Sequence, residues 1–97
     1  MIAAIPTQED VNLVARELAP DVVRIRFRIA EDWSGHPAMY FRVILSDEVS
    51  WDRLEDVTGR VKEKVFDELG LAALAHIPYF RFRSESEQAT LQDAAWD

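Results

Sequence analysis

From Val22 to Ile29 the chain reads Val-Val-Arg-Ile-Arg-Phe-Arg-Ile, with apolar residues and arginines in alternation. A period of two belongs to the β-strand, whose successive side chains leave opposite faces. The stretch therefore predicts a strand with one apolar and one arginine face. A slip of one residue would bury every arginine, so the pattern also decides which face meets the core. Ala38–Leu45 and Tyr79–Arg83 alternate in the same way and predict two more strands.

Taken together, the three strands sort their side chains into two sets. Val23, Ile25, Phe27 and Ile29, then Met39, Phe41, Val43 and Leu45, then Phe80 and Phe82, form the predicted core face. The opposite face carries Arg24, Arg26, Arg28, Tyr40, Arg42, Ile44, Tyr79, Arg81 and Arg83. Six of the nine arginines and both tyrosines thus fall on one predicted sheet surface.

Between the strands the apolar spacing changes to three and four. Val11, Val14, Ala15 and Leu18 follow the capping residue Thr7, with Gln8, Glu9 and Asp10 in the first turn and Pro20 as a stop. A second, longer helix is predicted over 50–69, with Leu54, Val57, Val61, Val65 and Leu69 as its stripe. Gly59 in its middle lowers helix propensity and suggests a close packing contact. Gly70 suits the end of that helix. Leu71–Ala75 could add one more turn, and Ala89–Trp96 a short docked or fraying helix.

The order α-β-β-α-β predicts an α+β two-layer sandwich: a three-stranded mixed sheet with helices on one face. The first two strands should pair antiparallel through the loop 31–37, which holds Gly35. The helical crossover should make the second and third parallel. This order is similar to that of the cytoplasmic C-terminal domain of cation-efflux transporters, a homodimerising module. It also resembles the type II KH domain, an RNA-binding family. Gly70-Leu71-Ala72-Ala73, however, lacks the second glycine of that family's Gly-x-x-Gly clamp.

At 97 residues and 48% hydrophobic, the chain predicts one domain over 1–97, with 1–6 and about 86–97 as flexible or docked tails. No apolar run reaches the roughly 20 residues of a membrane span, and the N-terminus lacks the basic flank of a signal peptide. The expectation is a cytoplasmic protein with no membrane contact. The absence of cysteine excludes disulfides, thiol catalysis and cysteine-based metal sites. Neither His36 nor His76 lies at metal-ligand spacing from another candidate, so no metal is expected. No Gly-x-Ser-x-Gly elbow and no phosphate-binding glycine loop occurs, which argues against an enzyme and against a cofactor. Asp47-Glu48 and Glu85-x-Glu87 offer paired carboxylates, in surroundings that look too wet to shift a pKa.

A net charge of −7 repels a phosphate backbone at long range and makes nucleic acid an unfavoured partner. The arginine–tyrosine face has a bland reading, a solvated sheet surface with Arg stems lying over their neighbours. Its functional reading is a docking surface, since Arg and Tyr are enriched at interface hot spots. On that reading the chain is a non-catalytic protein-binding subunit, the acidic member of a bacterial two-protein pair or a homodimer. The competing reading is a module for an anionic ligand or single-stranded RNA, with Tyr40 and Tyr79 as stacking platforms. Trp33 and Trp96 are candidate aromatic anchors for a partner. Trp33 could otherwise cap the core under the hairpin, and Trp51 could staple the first turn of the long helix. Two arginine faces stacked directly would repel. A homodimer should therefore pair sheet edges, or lay the tail, held by Trp96, over the arginine face of self or neighbour.

Overall fold

The computed structural model describes residues 5–97, so most of the expected 1–6 tail lies outside the described residues. Helix α1 spans Gln8–Glu17 and begins in a capping box: the Thr7 hydroxyl accepts from Asp10 N, and Thr7 N donates to the Asp10 carboxylate. Strand β1 (Val22–Glu31), strand β2 (Pro37–Leu45) and helix α2 (Trp51–Glu68) follow. Gly70 leaves α2 at φ 61°, the left-handed conformation that glycine adopts without steric cost. A 3-10 turn, Leu71–Ala73, then leads into strand β3 (Ile77–Ser84).

The sheet order is β1-β2-β3, with β1 antiparallel and β3 parallel to the central β2. This is the expected three-stranded mixed sheet with helices packed on it. The predicted α1 stripe is buried, and so is the middle of the α2 stripe, while Leu54 and Leu69 at its ends are half-buried. Val11, Val14, Ala15 and Leu18 come from α1 and its end, and Val57, Val61 and Val65 from α2. They close over Ile25, Met39, Phe41, Val43 and Leu45 of the sheet. Asp21, just before β1, ties the long helix down by accepting from Arg53 at 2.8 Å and Arg60 at 2.7 Å.

Four local expectations need correction. Ile29, expected on the core face, is 41% exposed near the end of β1. The register shifts between Val22 and Arg24, so Val22 takes the core position and Val23 is left 41% exposed. A bulge of this kind breaks strict alternation for one residue and restores it afterwards. Gly59 has open space where a Cβ would stand, so no close contact explains it. The last helix, α3, starts earlier than expected and spans Glu85–Leu91. Ser84 caps it by accepting from Glu87 N at 3.1 Å, while the Glu87 carboxylate accepts from Ser84 N. A second 3-10 turn, Ala94–Trp96, completes this segment.

The candidate site on the arginine and tyrosine face

Register turns the alternation into a grid of three cross-strand rungs. Arg24, Ile44 and Arg83 form the first, Arg26, Arg42 and Arg81 the second, and Arg28, Tyr40 and Tyr79 the third. The structure thus brings all eight expected arginines and tyrosines onto one surface.

Residues 85–97 cover the first rung. The 3-10 turn packs on β1 and β2, leaving Ile44 1% and Trp96 3% exposed. Arg24 Nε donates to Trp96 O at 2.9 Å, and its guanidinium lies 3.4 Å from the Asp97 carboxylate. Arg83 sits over the Trp96 ring, 4.2 Å from the centroid, and donates to Gln88 Oε1 at 3.0 Å. It also lies 3.8 Å from Asp93. Gln88 is itself buried and donates to Asp93 O at 2.7 Å. Trp96, expected as an anchor for a partner, is engaged inside its own chain. It is the tail-over-self arrangement weighed in the sequence.

The tail reaches the second rung only at Arg26, whose Nε donates to Asp97 O, and leaves the rest of that rung and the third rung open. Among the described residues Arg28, Arg42 and Arg81 pair with no carboxylate. Like charges directly opposite one another across strands are unfavourable, so the Arg26–Arg42–Arg81 rung carries a standing electrostatic cost. On the third rung the Tyr40 and Tyr79 rings stack, 5.2 Å between centroids at 15°, and Arg28 lies 5.5 Å from the Tyr40 centroid.

The loop beyond the third rung supplies a buried acid to this surface, the one such acid among the described residues. Asp32 Oδ1 accepts from Ser34 N (2.9 Å), Ser34 Oγ (2.6 Å) and His36 N (3.0 Å), while Oδ2 accepts from the Tyr79 hydroxyl at 3.0 Å. The Ser34 hydroxyl bond above all, with the other donors, holds the Asp32 carboxyl at about 2, against an ordinary 3.8. The hydrogen bond to the Asp32 carboxylate in turn raises the Tyr79 phenol above its ordinary value. Ser34 Oγ also lies 2.6 Å from His36 Nδ1. With Ser34 Oγ donating to Asp32, this Asp-Ser-His arrangement braces the turn.

Asp32 binds its proton less tightly folded than unfolded. The stability it contributes is therefore complete above pH 3.8 and lost as the pH falls from about 4 to about 2. Urea midpoints measured across that window should fall more steeply for the wild type than for Asp32→Asn. Parallel curves would show that the Asp32 network does not stabilise the fold.

Other sequence readings are revised. Trp33 does not cap the core: it is 95% exposed on the same loop. Trp51 does not staple α2. It is 89% exposed and borders an open groove of about 440 Å³ with Val49, Leu54 and Phe82. Asp47 is not an unperturbed wet carboxylate: hydrogen bonds from Ser86 Oγ (2.6 Å) and Ser86 N (3.0 Å) lower its pKa and tie α3 to the end of β2. Among the described residues no helix is long and apolar enough to cross a membrane. No group of three metal-type ligands converges among them either. The chain matches no protein-family model, no curated protein and no solved structure.

Proposed function

We propose that this chain is a non-catalytic protein-binding subunit whose second and third rungs receive an acidic segment of a protein partner. The observation that carries the reading is the chemistry already seated on the first rung. There, aspartates and a tryptophan satisfy Arg24 and Arg83, while Arg28, Arg42 and Arg81 beside them have no carboxylate among the described residues. A partner that brings carboxylates to these arginines relieves their mutual repulsion and gains charge-assisted hydrogen bonds.

The RNA reading is less well supported. Tyr40 and Tyr79 stack on each other, so each already covers a ring face that a base would need. The net charge of −7 also opposes a polyanion more than it opposes a short acidic peptide.

The test uses a labelled peptide of residues 85–97 and a labelled oligouridine, titrated by fluorescence anisotropy. The peptide should bind saturably and weaken with salt. The double variant Arg42→Glu, Arg81→Glu should lower its affinity at least about tenfold. Peptide binding untouched by the double variant, or tighter oligouridine binding with a steep salt slope, would remove this reading.

A further inference from the structure

The two edges of the sheet differ. On β1, the Gln8 side chain stands in for a neighbouring strand: Nε2 donates to Ile25 O at 2.8 Å, and Oε1 accepts from Phe27 N at 3.3 Å. On β3, among the described residues, no side chain or loop hydrogen-bonds to the backbone of Tyr79–Arg83. Apolar side chains stand along that open edge beside the charged Lys62, Glu63 and Asp67 of α2. Ile77 is 40% and Phe66 41% exposed, and Phe66 lines a shallow groove with Pro78 and Phe80. An open strand edge beside exposed apolar side chains is a template for another strand.

A row of phenylalanines points to what that strand is. Phe27, Phe41 and Phe80 are register partners across the three strands. Their rings stack at 6.0 Å and 5.0 Å between centroids, with interplanar angles of 20° and 17°. Phe41 is 1% exposed, whereas Phe80, at the open end of the row, is half-buried.

We infer that β3 pairs antiparallel with β3 of a second copy about a two-fold axis at Phe80, joining two sheets into one of six strands. The axis at Phe80 sets the two Phe80 rings opposite each other and continues the row. On the other face it sets Tyr79 opposite Arg81 of the second copy, twice, a favourable cation–aromatic pairing. Ile77 falls opposite Arg83. Moving the axis to Arg81 would oppose two arginines directly, and moving it to Tyr79 would set Phe80 opposite Pro78 and end the phenylalanine row, so charge and the row together favour the Phe80 register. Pro78, which has no N–H, falls opposite Phe82 of the second copy, twice, and removes at most one ladder bond per protomer. This inference is independent of the acidic-segment reading, and salt separates the two. Each protomer carries −7, so screening strengthens self-pairing, while it weakens capture of an acidic peptide.

Size exclusion with light scattering should give twice the 11.2 kDa protomer mass, increasingly so with salt. Ile77→Lys, at an exposed site that the fold tolerates, should raise the dimer dissociation constant at least about tenfold by opposing Arg83. Its circular dichroism should not change. The chain has no cysteine, so Phe80→Cys should cross-link to a covalent dimer on mild oxidation, and Phe27→Cys on the closed edge should not. A monomer at ~100 μM across all salt concentrations would overturn the inference, that being far above the Kd of most stable pairs. A dimer that ignores Ile77→Lys, or that cross-links through position 27 and not position 80, would also overturn it.

Discussion

Replacing Phe41 with alanine is expected to cost about 3–5 kcal/mol, the range for a fully buried aromatic in a core that cannot collapse around the gap. Phe41 sits on the central strand, is 1% exposed and stacks on a phenylalanine on either side. Truncation therefore removes two aromatic contacts along with the transfer free energy. A domain of this size is typically stable by about 5–15 kcal/mol, so the variant should lose much of its margin. Its thermal midpoint should fall by roughly 15–30 °C. Phe27→Ala, at the half-buried end of the row on β1, should cost markedly less in the same urea titration. If Phe41→Ala cost less than about 1 kcal/mol, the assignment of the core would be wrong.

The second large effect is expected at Trp96. A tryptophan at 3% exposure would ordinarily cost as much as Phe41, but its segment can leave the sheet and so avoid leaving a cavity. The loss is then limited to the docking free energy of residues 85–97, about 2–3 kcal/mol for one large aromatic and its few charge-assisted hydrogen bonds. Trp96→Ala should remove amide-exchange protection from residues 85–97 and uncover the Ile44 side chain, while the Ile44 amide, paired on both sides in the central strand, keeps its protection. The amides of α2 should keep protection set by global unfolding. Leu91→Ala, in the same segment but 57% exposed, should change little. Protection of residues 85–97 that survived in Trp96→Ala would show that α3 holds itself in place through Ser84, Asp47 and Gln88 alone.

How far the sequence can be read depends on the range of the interaction. The grid of Arg24 to Arg83 was legible because alternation is local and one slip would bury six cations. The helical stripes were legible for the same reason. The Val22–Val23 bulge was not, because two successive valines fit either face and only pairing with Ile44 and Leu45 decides between them. The start of α3 was written in Ser84-x-x-Glu87, a capping box that the acidic, polar composition around it obscured. Asp32 is a different case. Its burial depends on a tyrosine 47 residues away, and no local pattern announces that meeting. The core-capping reading of Trp33 and the staple reading of Trp51 fail because size and apolarity favour burial only on average: Trp33 stands in the 31–37 loop and Trp51 is the first residue of α2, and both side chains face solvent.

The Gln8 amide has a further meaning for assembly. A sheet with two open edges has a valence of two: every strand added leaves another free, and growth runs on into ribbons. With Ile25 O and Phe27 N bonded to Gln8, the middle of the β1 edge is blocked, and a strand can run along it only by displacing that side chain. A strand accepted by β3 then leaves a product whose remaining ends carry the same block. Raising the concentration should increase the number of complexes more readily than their length, so one glutamine side chain biases assembly toward a finite complex and away from a filament.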